Sequence, residues 1–379
     1  MVIVLLSFGI LYALFSVYLI VGWKKINEPI LNQLSKPVTS VAIIVPIRNE
    51  KDTIELLLQD LKNQAYPQEL LTVYLADDGS LDGTDIIINN WINRYPNYFK
   101  PVSLLAEYAG WKGKKKMIAS AIAISDATLI LTTDADCRIP VGWVRSMVDS
   151  YEHSHAAFIS GPVIMKGKPG YWNSFQSIEF SSLVGSGASA IGLHLPVMCN
   201  GANVAYTRSA YEKVKGFEGN ENIASGDDEF LMHKITSQFS ANSVIFCKNK
   251  EAIVVTAPAA SWGEFYNQRK RWAGKWEHYK LWYVQVIAVW VFLFHFFLLL
   301  SSILGILGVI NPELPLIMWV IKAFFDYLYL KSIARFLSID FKNSTFINAV
   351  MIYPFYAVGF GIAARFGSYT WKERTEDLS

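Results

Sequence analysis

The chain has 379 residues, 52% of them hydrophobic and only 17% charged, with a formal net charge of +2. A soluble globular chain carries about 25% charged residues, so the deficit points to membrane segments. The near-neutral balance and the lack of an extended basic tract argue against a nucleic-acid partner.

Val2 to Trp23 contains no charged residue, and about 20 apolar residues suffice to span a bilayer core. The stretch lacks a basic leading region and a small-residue cleavage site, so it reads as a span rather than a signal peptide. Lys24 and Lys25 place the succeeding domain on the cytoplasmic side. Cys137, Cys199 and Cys247 are odd in number and widely spaced, which fits a reducing compartment and suggests neither a disulfide framework nor a zinc site.

From Lys24 to Lys280 the composition is that of a soluble protein. Val41 to Val45 is a continuous apolar run ending at Pro46, the pattern of a strand buried on both faces. Ile54, Leu57, Leu58 and Leu61 then recur at helical spacing, with Pro67 as a stop. "LLTVYLADDGS" is a second strand, "GTDIIINNWINRY" a second helix, and "ATLILTTDADC" a third strand. This alternation predicts an α/β fold with a mostly parallel, Rossmann-like sheet and flanking helices. Ligands of such sheets sit beyond the carboxyl ends of the strands. Those ends carry "PIRNE", "ADDGS" and "TTDADC".

Asp134 and Asp136 are two apart after a buried strand, so their carboxylates share a side and suit a hard divalent cation, Mg2+ or Mn2+. A lone Asp-x-Asp is more often a turn, though its place after a buried strand favours the metal reading, and the acids of "ADDGSLDGT" can also cap a helix. Asp227, Asp228 and Glu229 stand before a helical pattern, where the helix dipole favours them. Their crowding is expected to raise at least one pKa, which suits a general base.

"SWGEFYNQRKRWAGKW", residues 261–276, holds four cations and five aromatic residues. As a helix it places Gln268, Arg271 and Trp272 on one face. Arg269 and Lys270 point elsewhere and are expected to serve membrane association, with Trp262, Phe265 and Trp276 seated in the interface. Beyond it, Trp282–Ile310, Leu314–Leu330 and Phe346–Ala364 are largely apolar, separated by "NPELP" and by Lys331 and Arg335. Pro354 marks a break or re-entrant segment in the last. "GSGASAIG", residues 185–192, reads as a flexible connection, and His153 and His155 as surface residues. His295 reads as a packed or hydrogen-bonded residue within a span.

Taken together, "PIRNE", "ADDGSLDGT", "GKKKM", "DAD", "GDDEFL" and "QRKRW" resemble, in order and spacing, the family 2 glycosyltransferases. The likeness is to membrane-bound members such as cellulose, hyaluronan and poly-N-acetylglucosamine synthases and ceramide glucosyltransferase. It covers roughly Val41 to Trp276. It implies a GT-A fold and an inverting transfer from a nucleotide sugar, expected to be a UDP-sugar, to a membrane-associated lipid or growing glycan. Pro46, Asn49, Glu50, Asp78, Lys114 and Asp134 match donor-binding positions, Asp134 and Asp136 the metal motif, and Asp228 the catalytic base. Arg271 belongs with catalysis, and Gln268 and Trp272 with the acceptor. Asn200 and Gly201 of "CNGAN" match an acceptor segment more loosely. Asp227 departs from the pattern, since many members have Glu there.

The expected plan is a membrane helix over 1–23, a cytoplasmic GT-A domain over 38–260, an interface helix over 261–281, membrane helices over 282–365 and a tail. A bacterial inner-membrane enzyme fits this plan, with partner subunits unspecified. Polyprenyl-phosphate sugar synthases resemble the domain but generally lack the Gln-x-x-Arg-Trp motif. A nucleotidyltransferase would not need the aromatic-basic helix, and a decayed sugar-binding protein would not need the intact acids.

Overall fold

The computed structural model describes residues 2–28, 37–223, 225–275, 278–363, 368–371 and 374–377. Trp276 lies outside the described residues. In chain order the elements are α1 (Val2–Lys25), β1 (Val41–Ile47), α2 (Ile54–Lys62), β2 (Leu71–Asp77), α3 (Thr84–Arg94), β3 (Phe99–Pro101), α4 (Lys115–Ala123) and β4 (Leu129–Thr132). Next come α5 (Trp143–Ser154), β5 (Phe158–Ser160), β6 (Val163–Met165), α6 (Tyr171–Gly192), β7 (Val204–Thr207), α7 (Arg208–Lys213), α8 (Asp227–Phe239), β8 (Val244–Phe246) and β9 (Val254–Thr256). The chain continues as α9 (Trp262–Ala273), α10 (Trp282–Ile306), α11 (Glu313–Leu337) and α12 (Asn343–Ala363).

These elements form two compact units. One takes in α1, residues 167–189 and the chain from Pro258 onward; the other takes in residues 26–166 and 190–257.

The second unit is built on a seven-stranded sheet in the order β3-β2-β1-β4-β7-β5-β8. The β3, β2, β1 and β4 strands are parallel, whereas β7 runs antiparallel to both β4 and β5. Every residue of β1 except Pro46 is buried, as its unbroken apolar sequence requires of a strand covered on both faces. Pro46 has no N–H to offer a ladder, and it lies past the point where β4 stops, Thr132 pairing with Ile44. Ile54, Leu57, Leu58 and Leu61 form the buried stripe of α2, as their spacing predicts. Behind the sheet, Asn203 receives the Trp143 indole N–H at 2.8 Å and donates to the carbonyls of Pro162 and Ala252. That buried network fixes the start of β7 and the turn before it.

Among the described residues of the first unit, three helical stretches are long and apolar enough to cross a membrane: Ile3–Lys25, Trp282–Ile306 and Asn343–Ala363. The stretch Leu314–Leu330 lies within α11 and is not among them. Its Lys322 is buried and pairs with Asp326, which also accepts a 2.6 Å hydrogen bond from Tyr12 of α1. Thus Lys322 and Asp326 pair within α11, and Asp326 also ties it to α1. His295 is buried with Nδ1 2.7 Å from the Val291 carbonyl. The α12 helix continues through Pro354 without the expected break.

Residues 185–192 differ from expectation too. They are the last turns of α6, not a flexible connection. The reason is steric. A Cβ on Gly185 would come within 2.1 Å of Ile333 Cδ1, so the small residues let α6 close on α11. Ser189 and Tyr329 join the same two helices by a 2.8 Å hydroxyl contact.

Candidate functional site

In the second unit, the carboxyl ends of β1, β2 and β4 gather most of the residues singled out above. After β1, Asn49 takes a left-handed conformation at φ 50°. Its N–H donates to Ser80 Oγ at 2.9 Å, and its side-chain oxygen accepts from the Leu81 N–H at 3.0 Å. The Glu50 N–H donates to Thr84 Oγ1 at 2.8 Å, and its carboxylate accepts from Thr53. Asn49 and Glu50 therefore splice the β1 loop to the β2 loop. Asp78 comes directly after β2. Lys116 Nζ lies 2.6 Å from its carboxylate, and Arg48 donates to its carbonyl at 2.6 Å.

The centre of the site is Lys114. Its ammonium donates to Asp134 at 2.8 Å and lies 3.3 Å from Asp227. Gly201 forms the floor beside it. A Cβ there would stand 3.1 Å from Lys114 Nζ, 3.3 Å from Asp228 Oδ2 and 3.4 Å from Asp227 Oδ2. Segments distant in sequence thus meet in one charged cluster. Asn200 shapes the adjoining turn by accepting from the Ala202 N–H at 3.0 Å.

The three lysines of "GKKKM" open α4, where cations oppose the helix dipole. Their placement there needs another cause, and each has one. Lys116 meets Asp78, Lys114 meets Asp134 and Asp227, and Lys115 is fully buried against carbonyls of the segment that leads to Asp227. Only Lys114 was singled out from the sequence. A run of cations at the start of a helix pattern was the available signal for the other two.

Burial separates the two aspartates. Asp227 is buried, and desolvation raises its carboxyl pKa; Lys114 opposes this, while Asp228 and Asp134 add to it. Burial disfavours the charge of Lys114, but Asp134, Asp227 and Asp228 outweigh it and hold the ammonium pKa above its ordinary value. Asp228 is half-buried, with one oxygen accepting from the Glu229 N–H at 2.8 Å and the other facing Gly201. Both aspartates begin α8, whose preceding Gly226 has φ 78° and approaches the Phe230 ring so closely that a Cβ would lie 2.5 Å from it. A residue with a side chain fits neither that conformation nor that space.

A divalent cation fits the donor set in a particular way. Among the described residues no group of three or more His, Cys, Asp or Glu could hold a metal ion. Asp134 is half-buried and Asp136 exposed, and among the described residues these two carboxylates are not joined by a third ligand. Mg2+ and its analogues commonly bind through one or two carboxylates and complete their shell with phosphate and water oxygens.

Gln268, Arg271 and Trp272 belong to the other unit, on α9. All three are half-buried. Trp272 packs near Phe180, with ring centroids 5.9 Å apart. The expectation for their neighbours is overturned. Arg269 and Lys270 are buried rather than turned to a membrane surface. Arg269 pairs with Glu179 of α6, donates to Gln268, and lies 4.3 Å over the Trp272 ring. The helix packs on the face that its sequence pattern was expected to leave outside.

Comparison with known proteins bears on this arrangement. The profile described as Glycosyl transferase family 2 matches residues 42–215, and that described as Glycosyl transferase family group 2 matches residues 129–331. The chain is 25% identical over 246 residues to a beta-monoglucosyldiacylglycerol synthase of Synechocystis sp., covering 62% of this chain and 48% of that protein. It is 34% identical over 116 residues to the hyaluronan synthase of Streptococcus pyogenes, covering 29% of this chain and 26% of that one. It thus spans about half or less of these relatives. Among solved structures, a mannosyltransferase from Pyrobaculum calidifontis in complex with GDP-Man and Mn2+ superposes with TM-score 0.54 at 18% identity, over 96% of this chain and 94% of that one. That likeness establishes the GT-A fold.

Proposed function

The chain belongs to glycosyl transferase family group 2, and on that premise we propose that it transfers a sugar from a nucleotide sugar to a hydroxyl of a membrane-associated lipid or glycan. The observation that carries this reading is Lys114, set between Asp134 and Asp227 with Asp228 across Gly201. That arrangement offers a carboxylate base beside a fixed cation at the carboxyl edge of a parallel sheet.

In the reaction, Asp228 takes the proton of the acceptor hydroxyl. The freed oxygen attacks the anomeric carbon from the face opposite the diphosphate. The new glycosidic bond forms as the bond to the phosphate oxygen breaks, so the nucleoside diphosphate leaves and the centre inverts. Lys114, held by Asp134 and Asp227, steadies negative charge on the leaving group. Asp78, held by Lys116 and Arg48, contacts the nucleoside, with Pro46, Asn49 and Glu50 shaping that side. Asp134 and Asp136 would hold Mg2+ or Mn2+, which supplies Lewis acidity toward the diphosphate when bound. Arg271 serves the leaving diphosphate through a guanidinium fork suited to phosphate oxygens, and Gln268 and Trp272 serve the acceptor.

The three candidate spans among the described residues and the basic pair Lys24–Lys25 support an integral membrane protein with its site on the cytoplasmic face; we place it in a bacterial inner membrane. A UDP-sugar is the donor we favour. The test incubates membranes holding the chain with labelled nucleotide sugars and extracts the lipid and polymer fractions. Label transferred to either fraction, with release of nucleoside diphosphate, is the expected result. Absence of release with every donor would overturn the reading.

A further inference from the structure

Lys115 is fully buried, and its ammonium donates to three backbone carbonyls: Asn220 at 2.8 Å, Ile223 at 2.7 Å and Ser225 at 3.0 Å. An ammonium has three donors, and among the described residues these carbonyls engage them. The Phe230 ring lies 5.4 Å from the same ammonium. The adjoining Lys112 N–H donates to the Glu221 carbonyl at 2.8 Å, a second tie between the start of α4 and the same segment.

Three carbonyls converging on one cation are an arrangement a metal ion would otherwise supply. Here a side chain supplies it. The segment it gathers runs into Gly226 and then Asp227 and Asp228, whose position relative to Lys114 defines the site. Lys115 also favours the ionised form of Asp227 through its charge. Burying an ammonium is costly unless all its hydrogen bonds are made, and charge-assisted bonds are the stronger ones. A buried methionine would fill much of the same space more cheaply. The lysine is therefore explained by the carbonyls it organises.

We propose that Lys115 is a positioning residue: its ammonium holds the carbonyls of Asn220, Ile223 and Ser225 and so sets where Asp227 and Asp228 stand against Lys114. The proposal deepens the nucleotide-sugar reading of this site and rests on it for its catalytic consequence.

The test compares the full-length wild type with Lys115→Met, Lys115→Gln and Lys115→Arg, purified in detergent. Hydrogen exchange is read for peptides covering residues 219–230 and for the rest of the chain. UDP binding is titrated in the presence of Mn2+, and turnover is followed as nucleoside diphosphate release. Lys115→Met is expected to raise exchange in residues 219–230 by about tenfold or more while the sheet strands keep their protection. Its kcat falls about 10²-fold, as expected for a small displacement of reacting groups, and UDP affinity stays within about threefold because Lys114, Lys116 and Asp78 remain. Lys115→Gln, which keeps two amide donors, falls between wild type and Met, and it carries the comparison if the Met variant does not fold.

Unchanged exchange in residues 219–230 would overturn the proposal whatever the activity. So would a uniform loss of protection across the chain in every variant, or, in an active wild type, an unchanged kcat. A wild type that neither binds UDP nor turns over donor would instead sink the nucleotide-sugar reading, leaving the exchange comparison to decide the role of Lys115.

Discussion

Arg269 of α9 and Glu179 of α6, 90 residues apart in sequence, form a fully enclosed ion pair. The guanidinium is also flanked by two aromatic faces, 4.6 Å from the Phe265 ring and 4.3 Å from that of Trp272. Removing one member of such a pair strands the other charge in a low-dielectric setting, at a cost of about 3–5 kcal/mol. Arg269→Gln and Glu179→Gln should each lower the thermal unfolding temperature sharply. Arg269→Met with Glu179→Met should recover much of the loss. Singles no less stable than wild type would show that the pair contributes nothing.

Arg271 must be judged with that in mind. Arg271→Lys keeps the charge and loses the planar fork, so turnover per folded molecule should drop strongly. For Arg269→Gln the loss should track the folded fraction instead. The measurement is rate divided by folded protein, taken from the same detergent preparation. Equal specific rates for wild type and Arg271→Lys would remove Arg271 from the chemistry.

Asp228→Asn keeps shape and hydrogen bonding but cannot accept the acceptor proton. Turnover should fall about 10²–10⁴-fold, with nucleoside diphosphate binding retained. Asp227→Asn should weaken the hold on Lys114 and affect donor binding as well. Steady-state rates beside binding isotherms distinguish the two. If Asp228→Asn stays active and Asp227→Asn does not, the base is Asp227.

Gly201→Ala introduces a methyl 3.1 Å from the Lys114 ammonium and 3.3 Å from Asp228. Both neighbours are the ends of side chains and can shift by a few tenths of an ångström, so the fold should survive. Turnover should fall about tenfold because the reacting groups are displaced. A rate equal to wild type would mean the floor of the site lies elsewhere.

Chelator should abolish turnover, and Mg2+ or Mn2+ should restore it. Asp136→Ala, at an exposed position, should leave the unfolding temperature unchanged while weakening Mn2+ binding followed by electron paramagnetic resonance. Full activity in chelator would remove the cation from the reaction.

Much of this site was legible because strand ends and acids advertise themselves. The apolar run of Val41–Val45 and the spacing of Ile54, Leu57, Leu58 and Leu61 carry their burial in the pattern, and all nine are buried. The clustering of Asp134, Asp227 and Asp228 could be expected only from the resemblance, since no local signal joins residues some 90 positions apart. Periodicity groups Gln268, Arg271 and Trp272 on one helical face, but it does not say which face packs. Arg269 looked like a surface cation because its partner Glu179 lies on another helix. Gly185 looked like a hinge because a close helix contact and a flexible link favour the same small residues.

The fan of lysines at the start of α4 has a consequence for how the chain can vary. Successive helical residues diverge by about 100°, so three adjacent ammoniums are aimed at three separate destinations by winding alone. One inserted residue within the first turn would turn the later lysines out of phase with their targets, although every side chain needed would still be present. The turn ahead of α4 therefore sets a rotational phase: a length change there must be matched by rewinding the helix start, and Gly113, at φ 64°, adds a demand on residue type.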